Sequence, residues 1–102
     1  MLTLDEIEAT LRKHKEELQK KFNIKEIGIF GSFVRGEQDS RSDVDILVEF
    51  NEIPDIFLLI DLEDHLNKLL HRKIDLVRKS AIRVELREDI SREAKYIGGI
   101  KE

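Results

Sequence analysis

Asp43 and Asp45 are the residues whose type and spacing most directly suggest chemistry. The segment Val44–Phe50 alternates apolar and polar side chains and predicts a strand. Side chains two positions apart leave the same face of a strand, with Cα atoms about 6.5 to 7 Å apart. Because two carboxylates at that separation can share divalent cations, the pair predicts a metal site.

Gly31 and Ser32 provide a candidate site for an anion beside those carboxylates. They follow the isoleucine-rich segment Ile24–Phe30, which predicts a strand, and a short element would begin at Ser32 and stop at Gly36. Backbone N–H groups at such a junction attract a triphosphate, which Gly31 lets approach and the Ser32 hydroxyl contacts. A triphosphate beside two carboxylates requires cations between them, and Mg²⁺ prefers these oxygen ligands.

Asp75 is a third carboxylate, placed inside the apolar segment Lys73–Val77 that predicts another strand. A charge there is costly unless it is paired or bound to a metal. A salt bridge to Lys73, Arg72 or Arg78 would satisfy it, and so would a place in the metal cluster. With Asp75 included, the pattern favours two-metal phosphoryl-type transfer.

Helices surround the three predicted strands. A capping box at Thr3 and Glu6 begins a helix over Leu4–Phe22, Pro54 begins one that extends to Leu70, and Ser80 caps a last helix with Gly98-Gly99 as its stop. The element order α-β-α-β-α-β-α, without a repeat or a linker, predicts one α/β domain over residues 1–102.

Composition narrows the class of partner and the location. The net charge is −4 and acidic and basic residues are interspersed, which disfavours a long nucleic acid. There is no cysteine, the N-terminal residues lack a leader pattern, and no apolar run has the length of a membrane span, so we expect a cytoplasmic protein. The longest apolar run, Ile56–Ile60, is either core or an interface with a partner protein or a second copy.

Three segments together resemble the DNA polymerase beta-like nucleotidyltransferase superfamily, and its minimal nucleotidyltransferases most closely. They are Gly31-Ser32-Phe33-Val34-Arg35-Gly36, Ser42-Asp43-Val44-Asp45 and Lys73-Ile74-Asp75-Leu76-Val77. The resemblance implies the minimal nucleotidyltransferase fold, a small mixed sheet flanked by helices. Val34 departs from the family pattern, in which alanine is more usual.

The resemblance also implies roles for the site residues. Asp43 and Asp45 would hold two Mg²⁺ ions, Asp75 would ligate the catalytic ion and help deprotonate an acceptor hydroxyl, and Gly31 with Ser32 would bind the triphosphate. Apart from the resemblance, we assign nucleotide binding also to Ser42, and to Arg35 and Arg41 as phosphate or partner contacts, although plain surface charges would explain the two arginines equally well.

Minimal nucleotidyltransferases are commonly paired with HEPN-domain ribonuclease toxins. The resemblance therefore implies ATP as donor and transfer of AMP to a tyrosine of a HEPN partner. Two alternatives stay open: a binding antitoxin that neutralises its partner by occlusion, and a transferase acting on a small molecule such as an antibiotic. Extension of nucleic-acid ends is discounted by the acidic charge balance.

Overall fold

A four-stranded sheet forms the centre of the computed structural model, which describes residues 2–97. The strands are β1 Ile24–Phe30, β2 Val44–Phe50, β3 Ile74–Arg78 and β4 Lys95–Tyr96, in the spatial order β3-β2-β1-β4. β2 pairs with β3 in parallel, and β1 pairs with β2 and β4 antiparallel. The predicted mixed sheet is confirmed, with β4 as an additional strand.

Five helices flank the sheet: α1 Leu4–Lys13, α2 Lys15–Phe22, α3 Ser32–Arg35, α4 Ile56–Leu70 and α5 Val84–Glu93, with a 3-10 turn at Lys79–Ala81. One apolar cluster joins α1, α2 and α4 to the sheet face that carries Ile27, Ile29 and Ile46. Because side chains alternate along β2, Asp45 lies on the opposite face. Among residues 2–97, no helix is long and apolar enough to cross a membrane.

The first predicted helix is divided in two. The capping box forms as expected, with Glu6 N–H donating to Thr3 Oγ1 over 3.2 Å and Thr3 N–H donating to the Glu6 carboxylate over 3.0 Å. The prediction of one helix over Leu4–Phe22 was wrong at His14, whose backbone leaves helical geometry at φ −103° and ψ 11°. Its Nδ1 lies 3.0 Å from the Thr10 carbonyl oxygen, where the side chain competes with the helical ladder.

The helix predicted from Pro54 begins two residues later, because Asp55 caps it by accepting a hydrogen bond from Leu58 N–H over 2.8 Å. Within the apolar run Ile56–Ile60, Leu58 packs against the core. Ile56, Phe57 and Ile60 are 62%, 73% and 53% exposed. Most of this run is therefore surface rather than core, and its role as an interface stays a prediction.

The last predicted helix was placed too early and extended too far. Ser80 lies in the 3-10 turn, α5 begins after Arg83, and Ala94 already has extended geometry. The chain then pairs with β1 through β4, where Ile97 N–H donates to the Ile27 carbonyl over 3.0 Å and the Ile97 side chain is buried. The predicted stop at Gly98-Gly99 lies outside the described residues.

Candidate active site

Asp45 and Asp75 lie directly beside each other on neighbouring strands. The parallel pairing of β2 with β3 sets Asp45 opposite Asp75, and their side chains hydrogen-bond. Burial, followed by this hydrogen bond and the negative charge of Asp75, raises the pKa of Asp45 from 3.8 to about 6. At this pairing Asp75 therefore meets another carboxyl group rather than a basic side chain.

Gly31 and Ser32 contact the same Asp45 carboxylate. Ser32 N–H donates a hydrogen bond to it, which opposes the rise in the pKa of Asp45. Gly31 has φ 80° and ψ −149°, a backbone region open almost only to glycine. A β-carbon at this position would overlap the Asp45 carboxylate and lie 2.7 Å from its Cγ. Glycine is thus required both by the backbone and by the carboxylate against it.

Asp43 lies just before β2, half-buried, and its charge also raises the pKa of Asp45. Within residues 2–97, no three metal-ligating side chains are already gathered around one point. The three carboxylates nevertheless form an all-oxygen donor set that fits a hard cation such as Mg²⁺, whose charge would offset the repulsion between them.

Two of the predicted nucleotide-binding residues, Arg41 and Ser42, make hydrogen bonds within the loop before Asp43. The Ser42 hydroxyl accepts from Asp39 N–H over 2.8 Å and lies 3.4 Å from the Asp39 carboxylate. Arg41 N–H donates to that carboxylate over 2.8 Å, and Arg41 is exposed. Ser42 thus shapes the turn that leads to Asp43, and the Arg41 side chain faces solvent.

Arg35 ends α3 and is held between two carboxylates. Its Nε donates to Glu37 over 3.0 Å, and its Nη1 donates to Glu93 over 3.1 Å. Hydrogen bonds to Glu37 and then Glu93 raise the pKa of Arg35 above its ordinary value. Val34 beside it packs against the apolar core, so the larger side chain at this position fills the interior.

Arg72 is a site residue whose contacts the sequence pattern did not predict. Its Nη2 donates to the carbonyl oxygens of Ser42 and Asp39 over 2.6 and 3.2 Å, and its guanidinium lies 5.4 Å from the centre of the Phe33 ring. Arg72 therefore ties the loop that leads to Asp43 onto α3. In the sequence, Arg72 stands just before the strand that carries Asp75, and this position favoured a salt bridge to Asp75 rather than contacts with the loop.

Comparison with known proteins decides the family. The sequence model of the protein family described as nucleotidyltransferase domain matches residues 11–97, which include all three aspartates. The chain belongs to this family. Protein adenylyltransferase MntA of Thermococcus cleftensis is 50% identical over 97 residues, covering 95% of this chain and 98% of that protein.

Solved structures show the same fold. A structure described as a minimal nucleotidyltransferase superposes with a TM-score of 0.77 at 30% identity, covering 92% of this chain and 95% of the other. An MNT antitoxin in complex with a tri-AMPylated HEPN toxin of Shewanella oneidensis gives a TM-score of 0.65 at 20% identity, with coverages of 90% and 72%. The second likeness is informative for the fold alone.

Proposed function

We propose that this nucleotidyltransferase transfers AMP from ATP to a tyrosine hydroxyl of a HEPN-domain toxin. The observation that carries the proposal is the Asp45 and Asp75 pair beside the Gly31-Ser32 turn. The name of the relative that is 50% identical, protein adenylyltransferase, supports protein as the acceptor. The AMPylated HEPN toxin bound to an antitoxin of the same fold supports the class of partner.

The reaction forms one bond and breaks another at the α-phosphorus of ATP. The acceptor oxygen attacks this phosphorus, and the bond to the oxygen that bridges the α- and β-phosphates breaks. Pyrophosphate leaves with that oxygen, and the hydroxyl proton passes to a carboxylate, a role we assign to Asp75. Holding the acceptor and the α-phosphate in line is the main task of the protein in such a reaction.

Asp43, Asp45 and Asp75 would hold two Mg²⁺ ions in this proposal. Bound there, the ions would neutralise the triphosphate and activate the acceptor oxygen. Ser32 would bind the phosphates through its hydroxyl, and Gly31 would let the triphosphate approach the turn, whose two N–H groups are held by Glu93 and Asp45.

Arg35, Arg41 and Ser42 complete the proposed nucleotide site, and each has its own position in the structure. Arg35 is linked to the Gly31-Ser32 turn through Glu93, which accepts hydrogen bonds from both Gly31 N–H and Arg35. Arg41 is exposed and would have to turn toward the phosphates, whereas Ser42 would act through the turn that it closes with Asp39. We also propose that residues 1–102 act as one domain, in line with the apolar cluster that α1, α2 and α4 share with the sheet, and that the protein is cytoplasmic.

The decisive test is transfer of label from ATP carrying a radioactive α-phosphate to a HEPN-domain protein, to be sought first in the reading frames next to this gene. The wild-type chain should label the partner in the presence of Mg²⁺, and a partner without the acceptor tyrosine should stay unlabelled. Asp43→Asn and Asp45→Asn should abolish labelling, whereas Asp61→Asn, at an exposed position on α4, should not. Labelling that persists in both site variants would falsify the assignment.

The alternatives give different results in the same assay. An Asp45→Asn variant that cannot transfer AMP yet fully suppresses the partner's ribonuclease activity would support occlusion. Label found on a small hydroxylated compound, with none on the HEPN protein, would support the antibiotic-modifying alternative.

A further inference from the structure

Glu93 makes a long-range contact with the turn that carries the candidate site. It is the last residue of α5, and its Oε2 accepts a hydrogen bond from Gly31 N–H over 2.7 Å. Both of its oxygens also accept from Arg35 Nη1, over 3.1 and 3.3 Å. The Glu93 side chain is 27% exposed, so these bonds are partly shielded from water. One carboxylate thus holds both ends of α3.

The turn lies between two carboxylates that bind consecutive N–H groups. Gly31 N–H goes to Glu93, and Ser32 N–H goes to Asp45. The Cα of Gly31 lies directly against the Asp45 carboxylate. Because these contacts leave little free space, a shift of the turn away from Glu93 must also shift the contacts that orient Asp45.

We propose that Glu93 is a positioning residue of AMP transfer, holding the Gly31-Ser32 turn and the Arg35 guanidinium in the geometry that receives the triphosphate. The inference rests on the proposed function of the same site. Glu93 acts through Gly31 and Arg35 rather than on the reacting atoms. A carboxylate this close to a triphosphate would repel it if it were unpaired, and Arg35 removes that cost by compensating its charge.

Glu93 makes two separable contacts, a hydrogen bond from Gly31 N–H and an ion pair with Arg35. Glu93→Gln keeps an oxygen that can accept from Gly31 N–H and loses the charge that orients Arg35. Glu93→Ala loses both contacts. We therefore expect a graded loss of turnover, roughly 10-fold for the glutamine variant and roughly 100-fold for the alanine variant, as for displacements of about 1 Å at an active site.

Binding and turnover should respond differently. Arg35 freed from Glu93 can still meet the phosphates by charge, so KM for ATP should stay within about threefold of wild type while kcat falls. A merely structural role of Glu93 would reduce the folded fraction and lower the apparent kcat of both variants in proportion to it. Thermal unfolding of each variant measures that fraction.

The experiment compares kcat and KM for ATP in Glu93→Gln, Glu93→Ala, Arg35→Ala and the Glu93→Gln, Arg35→Ala double variant, with the HEPN protein as acceptor. Glu88→Gln is the matched control, because Glu88 lies on the same helix and pairs with Arg92 over 2.9 Å. The control should retain wild-type kcat. The double variant should resemble the slower single variant, because both changes disrupt one coupled unit.

A Glu93→Gln variant with wild-type kcat, or fully additive effects in the double variant, would overturn the positioning role. Failure of the proposed function gives a different result, because the wild-type chain itself would then transfer no AMP to the partner.

Discussion

Replacing Gly31 with alanine should remove activity well beyond its effect on folding. The backbone at φ 80° and ψ −149° costs a residue with a β-carbon about 1 to 3 kcal/mol. The new β-carbon would also overlap the Asp45 carboxylate, which would have to move by about 1 Å or more. A displacement of that size at a reacting site lowers turnover roughly 100-fold.

Gly36 provides the matched control for the backbone effect. It also has a positive φ, 73° with ψ 24°, but a β-carbon there meets no atom of the described chain within 4 Å. Gly36→Ala should therefore cost about 1 to 2 kcal/mol of stability, a fall in Tm of several degrees, and leave turnover within about threefold of wild type.

The assay measures AMP transfer at a temperature where both variants are folded, with circular dichroism reporting the unfolding midpoint. We expect Gly31→Ala to lose at least as much stability as Gly36→Ala, and its kcat to fall far more than the two unfolding midpoints account for. The reasoning is refuted if Gly31→Ala turns over like Gly36→Ala, or if both rates follow only the folded fraction.

Three further variants test separate parts of the structure. Because the folded state holds the Asp45 proton more tightly, with a pKa of about 6 against 3.8, the free energy of unfolding of the metal-free protein should fall as pH rises from 3.8 to 6. The fall should be about 1 kcal/mol after allowance for solvent screening, and denaturant titrations of Asp45→Asn should lack this component. Arg72→Ala should lower kcat about 10-fold, because it releases the loop before Asp43, and the backbone amides of that loop should exchange hydrogen faster. Unchanged exchange would contradict the role of Arg72 in holding this loop. Phe57→Ser should change the free energy of unfolding by less than about 0.5 kcal/mol, since Phe57 is 73% exposed, and a loss of several kcal/mol in denaturant titrations would place it in a core.

The strands around the site were predictable because the side-chain pattern and the residues that end each strand agree. β1 and β2 have their predicted bounds, and β3 begins and ends one residue later than predicted. The contact between Asp45 and Asp75 needed the strand register, which no local pattern contains. The resemblance implied a shared site for these residues, and the structure adds the register that sets Asp45 opposite Asp75.

The missed features depend on contacts between residues distant in sequence. β4 has two residues and exists because Lys95 and Tyr96 complete the edge of β1, while the helical stripe toward Ile97 favoured a longer helix. Glu93 meets Gly31 across 62 positions, so its role was invisible until α5 was placed. Helix-versus-strand competition in such a segment is decided by tertiary burial rather than by propensity.

The intact mass of the HEPN partner after incubation with ATP, Mg²⁺ and this chain tests AMP transfer by the three aspartates most directly. We predict a gain of one or more AMP units with the wild-type chain, mapped to tyrosine. We predict no gain with Asp45→Asn or Asp75→Asn, and a normal gain with Asp61→Asn. A partner that gains AMP equally with all four proteins would contradict the claim that these carboxylates perform the transfer.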